Sequence, residues 1–272
     1  SAVARMEKGE QNMSTAMLAK ISQALERDLV NISDGSINIK IKGGNKLSGS
    51  ITTKTSKNGA MGLLAASLLN NGVTTLKNVP RIEEVNRMIE VFESIGVGVK
   101  WIGNDLEITP PKKIKLSKLD KKAAMRTRSV IMLIGSLIHE FDSFALPQPG
   151  GCKLGSRTVR PHFYALENLG VKIKATEDSY EVSHKGLKAN EIILYESGDT
   201  VTENAIIAAS KIPGTTVIKY ASANYMGQDV CHFLEKLGVK IEGIGTTTLT
   251  VHGVADIDID ITYYVAEDPI DT

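Results

Sequence analysis

Cysteine is almost missing from this chain: Cys152 and Cys231 are its two thiols in 272 residues. Two cysteines do not make a disulfide framework, and a reducing cytoplasm is the compartment expected. No apolar run approaches the roughly 20 residues a membrane-crossing helix needs, and the opening residues lack the apolar stretch of a secretory signal. No membrane partner is therefore expected. Excess charge of one sign is missing too: 32 basic against 31 acidic residues leave +1, which gives no support to a chain-wide surface for nucleic acid or anionic lipid. His139, His184, His232 and His252 lie far apart with no metal-ligand spacing, so no metal is expected. There is no Walker loop, dinucleotide fingerprint or nucleophile elbow, and no cofactor is expected.

What remains is an ordinary globular composition, 42% hydrophobic and 23% charged, with room for one large domain or two with an appendage. Residues 1–33 read differently from the rest. Helices are expected over Ala2–Glu7 and Met13–Leu29, with Ser14 as N-cap and Met17, Leu18, Ile21 and Leu25 at helical spacing. This segment resembles the second half of a Cro/repressor-type helix-turn-helix, which implies DNA as a possible partner of a longer N-terminal domain. Asn31–Ser36, with its Asp-Gly pair, reads as a linker.

From about residue 45 to 253 the chain repeats one unit three times. The marker is a glycine between a helix and a strand, at Gly96, Gly170 and Gly238. Each follows an amphipathic stretch (Ile82–Ser94, Arg160–Asn168, Gly227–Lys236) and precedes a hairpin of alternating apolar residues. Upstream of each marker lie a further helix (Gly59–Leu69, Arg128–Ile138, Glu203–Ser210) and a strand (Val73–Leu76, Ser143–Leu146, Thr215–Ile218). The fold expected is α/β, three βαβαββ units packing their helices into a shared core.

The second repeat carries the chemistry. Pro149-Gly150-Gly151-Cys152-Lys153-Leu154-Gly155-Ser156-Arg157 sets a thiol in a glycine-rich loop beside two cations. Such cations favour thiolate and also hold phosphate, which points to a phosphorylated small molecule. Cys231, next to Val230 and Phe233 on a helix, reads as core. His162 is left open between a nucleotide contact and a surface or capping role.

Three stretches, residues 46–69, 127–138 and 146–173, together with the threefold repeat, resemble the enolpyruvyl transferases. The resemblance covers residues 37–272. It implies a lobe of three units at 57–260, opening strands of a second lobe at 37–56, and re-entry to that lobe at 261–272. It implies phosphoenolpyruvate and UDP-N-acetylglucosamine as substrates, a monomer, and catalysis by Cys152 as the acid that protonates a methylene carbon. Lys57, Asn58 and Arg157 would bind phosphoenolpyruvate. Arg128, Arg157, Thr158, Val159, Arg160, Pro161, Ser197, Gly198 and Asp199 would line the UDP-sugar site. Independently of the resemblance, Lys57-Asn58 precede a helix expected from Gly59, where free N–H groups and the helix dipole favour an anion.

The chain departs from the family pattern at three places, one being Ala223-Asn224-Tyr225-Met226 where an acidic turn is usual after the third unit's second strand. Thr158 and Arg160 replace a Pro and an Asp, and the turn before the third unit's first helix carries Glu196 and Asp199 where a cation and an apolar residue are usual. With the second lobe mostly outside the 272 residues, turnover by the chain alone is not expected. Two other readings stay open: an enzyme like 5-enolpyruvylshikimate-3-phosphate synthase, which lacks the loop cysteine, and a DNA-binding regulator that senses a UDP-sugar.

Overall fold

The computed structural model describes residues 31–33, 36–38, 48–148 and 158–270. The helix-turn-helix segment, and the loop bearing Cys152, Lys153 and Arg157, lie outside the described residues. The chain divides into two compact units, Ser1–Ile51 and Thr52–Thr272.

In the first unit, β1 (Asn31–Ser33) pairs antiparallel with β2 (Ser36–Asn38), with Ile32 opposite Ile37. The linker expected from Asn31 to Ser36 instead holds paired strands, the first of them inside the 1–33 segment that resembles a helix-turn-helix. The β-branched Ile32 and Ile37 favour extended backbone, and that preference prevails over the composition that suggested a linker.

In the second unit the helices are α1 (Lys57–Ser67), α2 (Glu83–Ser94), α3 (Lys121–Met125), α4 (Leu133–Leu137), α5 (Arg160–Glu167), α6 (Asp199–Ser210) and α7 (Tyr225–Lys236). The strands are β3 (Thr74–Lys77), β4 (Gly98–Ile102), β5 (Asp105–Thr109), β6 (Ser143–Pro147), β7 (Val171–Ala175), β8 (Ser179–His184), β9 (Glu191–Ile193), β10 (Gly214–Lys219), β11 (Lys240–Glu242), β12 (Thr248–Gly253) and β13 (Ile261–Tyr264). The expected helix Arg128–Ile138 divides into a 3-10 turn, Arg128–Met132, and α4. Gly96, Gly170 and Gly238 have φ of +97°, +97° and +92°, the left-handed helix ends that the repeat required.

The first helices of the units form the centre. Every residue of α1 from Gly59 to Ser67, and of α6 from Val201 to Ser210, is buried. The buried stretch of α1 is apolar or small all round, as burial on all sides requires, whereas α6 also buries Thr202, Glu203 and Asn204. Gly62 shows why small residues recur: a Cβ there would lie 2.8 Å from Val230 Cγ2 and 3.0 Å from Glu203 Oε2. The second helices, α2, α5 and α7, are amphipathic and bury one face, α2 through Val85, Met88, Ile89, Val91 and Phe92.

Each unit adds a sheet, in the orders β13-β3-β5-β4, β6-β8-β7 and β9-β10-β12-β11. In the third, β9 runs parallel to β10, giving the full βαβαββ unit. In the first, the leading position is filled by β13, parallel to β3, with Ile261 opposite Thr74. The lobe expected to end at 260 thus continues through Tyr264, and Ser56 N donates to Ala266 O at 2.8 Å beside the start of α1. The physical reason is that β3 has a free edge once β5 covers the other, and the alternating Ile261 and Tyr263 pack on the core from that edge. The second unit has no leading strand among the described residues. Pro110 and Pro111 follow β5 there, and proline offers no N–H to a ladder.

Candidate functional site

A cleft of about 760 Å³ opens where helix N-termini from all three units converge. Its walls come from the starts of α1 (Lys57, Asn58), α2 (Glu84), the 3-10 turn (Arg128, Ser129), α5 (Pro161, His162), α6 (Asp199, Thr200, Val201) and α7 (Met226), together with Thr158 and the turn Glu196–Gly198. Helix starts present unpaired N–H groups and the positive end of the dipole, so their convergence favours negative charge in the space between them.

Ser56 caps α1, its Oγ accepting from Gly59 N at 3.0 Å while also meeting Tyr225 Oη at 3.0 Å. The helix therefore begins at Lys57, two residues before the expected Gly59, and Lys57 and Asn58 occupy its first turn. Lys57 Nζ donates to Glu84 Oε2 at 2.7 Å, and Glu84 Oε1 accepts from Ser129 Oγ at 2.8 Å and Thr127 Oγ1 at 3.4 Å. Burial opposes ionisation of Glu84, but the bonds from Lys57, Ser129 and Thr127 outweigh it and hold the carboxyl below its ordinary range. Arg128 Nη2 donates to Thr158 O at 3.2 Å, whereas Arg126 turns to Glu83 at 2.7 Å and does not line the cleft.

His162 is 5% exposed, with Nδ1 3.2 Å from Asn204 Nδ2 and Nε2 3.3 Å from Thr200 Oγ1. Asn204 can only donate there, so Nδ1 accepts and the proton sits on Nε2. Burial, and then the charge of Arg128, lower its pKa to about 4, so the ring is a neutral element of the cleft wall. Asn204 ties the units together: its Oδ1 accepts from Gly135 N at 2.9 Å and its Nδ2 also donates to Ile131 O at 3.2 Å.

At the start of α6, Asp199 accepts from Ser222 Oγ at 2.5 Å and from Asn224 Nδ2 at 3.2 Å. Glu203, one turn along, is fully buried, and neither carboxyl oxygen has a hydrogen-bond partner. Burial above all, then the nearby Asp199 and Asp229, push its pKa well above the carboxylate range, so it is protonated.

Of the residues assigned from sequence, Lys57, Asn58, Arg128, Thr158, Pro161, Ser197, Gly198 and Asp199 line this cleft. Val159 and Arg160 do not. Val159 packs against the core, and the Arg160 guanidinium pairs with Glu167 at 3.1 Å along α5. Glu167 lies two turns along the same helix face, and the long arginine side chain spans that distance to reach it. Cys152 and Arg157 lie outside the described residues. Glu84, Ser129, Thr200 and Met226 were missed, since in sequence each is an unremarkable first-turn residue; the Glu83-Glu84 pair reads only as dipole complementation. Among the described residues no cluster of His, Cys, Asp and Glu could hold a metal ion, and no helix is long and apolar enough to cross a membrane.

A UDP-N-acetylglucosamine 1-carboxyvinyltransferase of Bradyrhizobium diazoefficiens is 38% identical over 231 residues, covering 85% of this chain and 53% of the relative. One of Treponema denticola is 36% identical over 218 residues, 80% of this chain and 51% of the relative. The chain spans about half the length of these curated relatives. Among solved structures, the enolpyruvyl transferase NikO from Streptomyces tendae superposes with a TM-score of 0.67 at 20% identity, over 84% of this chain and 53% of that one. EPSP synthase from Acinetobacter baumannii gives 0.62 at 15% identity, over 80% of this chain and 49% of that one. Both likenesses show the shared fold. Residues 41–272 match the family model EPSP synthase (3-phosphoshikimate 1-carboxyvinyltransferase), and on that match the chain belongs to this enolpyruvyl transferase family.

Proposed function

We propose that the chain is one lobe of an enzyme that moves the enolpyruvyl group of phosphoenolpyruvate onto the 3-hydroxyl of UDP-N-acetylglucosamine, a step of peptidoglycan precursor synthesis. The observation that carries this is the cleft itself, which joins Lys57 at a helix start and Arg128 from the next unit among residues matching relatives named for that reaction. Lys57 and Asn58, with Arg157, receive the phosphate of phosphoenolpyruvate. Arg128, Thr158, Pro161, Ser197 and Gly198 contact the nucleotide sugar.

In this reading the Cys152 thiol gives its proton to the methylene carbon, and positive character builds on the adjoining carbon. The sugar oxygen bonds to that carbon and loses its proton to a base. The methyl group then returns a proton to the Cys152 thiolate as the carbon–oxygen bond to phosphate breaks, and the carbon–carbon double bond reforms. Cys231 cannot share this role. It is 1% exposed on α7, and burial, with Glu235 and Glu203 nearby, pushes its thiol up to about 12.

Labelling by the thiol-alkylating epoxide fosfomycin, read by intact mass, tests the assignment. Cys152→Ser should abolish labelling and Cys231→Ser should leave it unchanged. Equal labelling of the two variants would remove Cys152 from the site.

A further inference from the structure

The cleft is charged in an unexpected way for a site that takes phosphates. Its described walls hold two cations, Lys57 and Arg128, against three carboxylates, Glu84, Glu196 and Asp199. The cations stand at the α1 and 3-10 end, where Lys57 is already matched by Glu84 at 2.7 Å. The other two carboxylates stand together at the start of α6. Asp199 is the first residue of that helix, and its two oxygens take the Ser222 hydroxyl and the Asn224 amide, donors from the turn before α7. A carboxylate so placed satisfies the helix dipole and the two donors of the turn from within the chain. Glu196 folds back over the same turn, its Oε1 3.2 Å from where a Cβ on Gly198 would sit. The buried Glu203 one turn further along α6 has its pKa raised by burial first and then by the charges of Asp199 and Asp229.

We propose that Asp199 is a specificity-determining residue that bars a phosphate from the α6 end of the cleft. The inference rests on the enolpyruvyl transferase reading and narrows its acceptor. A nucleotide sugar must carry its diphosphate toward the Arg128 side of the cleft, leaving only neutral or donor groups beside α6. Like charges a few ångströms apart in a partly enclosed cleft repel strongly, so the penalty falls on any anion presented to α6 and spares uncharged groups.

The test is calorimetric titration of the full chain with UDP, with uridine and with phosphoenolpyruvate, for the wild type, Asp199→Asn and Asp199→Ser. Both variants should bind UDP at least tenfold more tightly than the wild type, uridine within twofold, and the UDP gain should shrink as sodium chloride rises. Serine serves beside asparagine because it is well tolerated at a helix start, and matching melting curves check that both are folded. UDP affinity that is unchanged or weaker in both variants overturns the proposal, as does an equal gain for uridine or a failure of every protein to bind UDP. Phosphoenolpyruvate separates the two readings. Retained binding of it with no UDP gain removes only the role of Asp199, whereas its loss in the wild type counts against the enolpyruvyl transferase assignment.

Discussion

Replacing Glu203 with glutamine should make the protein more stable, and increasingly so as the pH rises. The side chain is fully buried between α1, α6 and α7, with both oxygens unpaired. Its pKa in the folded protein is well above the ordinary 4.5, from burial first and then from Asp199 and Asp229. Between 4.5 and the folded value, the folded protein therefore holds a proton that the unfolded chain has released. Stability falls with pH wherever the folded state binds more protons, by about 1.4 kcal/mol per pH unit for one group. Glutamine keeps the shape and never ionises. The stability difference between Glu203→Gln and wild type should thus be small near pH 4.5 and grow by about 1.4 kcal/mol per unit above it, until the folded-state pKa is reached. Urea unfolding of both proteins in steps from pH 5 to 8 measures this directly, and comparing the two cancels every other titrating group. Parallel stability curves between pH 5 and 7 would refute the reasoning, because they would require Glu203 to ionise as readily folded as unfolded.

The neutral histidine of the cleft wall has the opposite sign. With a folded pKa of about 4 against 6.5, His162 contributes stability that is whole above pH 6.5 and lost as the pH falls toward 4, about 3 kcal/mol in all. His162→Gln should flatten that acid limb in urea titrations, and an acid limb of unchanged slope would count against a buried neutral ring. Asn204→Ala strips partners from Gly135 N, Ile131 O and His162 Nδ1 at once and should lower unfolding free energy by roughly 3–5 kcal/mol. A loss below about 1 kcal/mol by chemical denaturation would mean that water or neighbouring groups replace those bonds.

The threefold repeat is a local matter, and the sequence alone contains it. Each glycine marker needs a left-handed residue after an amphipathic helix, and each hairpin needs alternation, so Gly96, Gly170 and Gly238 with their flanking apolar periods fix the units without reference to one another. The anion-attracting start of α1 was legible for the same reason, since Lys57 and Asn58 stand where a short stretch of chain already dictates such a field, whereas Arg128 was reached through the family resemblance. The core role of Cys231 was legible from its apolar neighbours on one helix face.

Tertiary structure decided whatever depends on separated segments meeting. That β13 pairs with β3 follows from an edge left open some 190 residues earlier, which no local pattern records. Glu84 becomes the partner of Lys57 only because α1, α2 and the 3-10 turn converge, and Arg160 leaves the cleft because its own helix offers Glu167. In sequence Asp199 reads, by resemblance, as part of the UDP-sugar site and as a second negative charge in its turn. Packed against Ser222 and Asn224, it occupies a helix terminus from within, because the turn before α7 brings its donors to the start of α6.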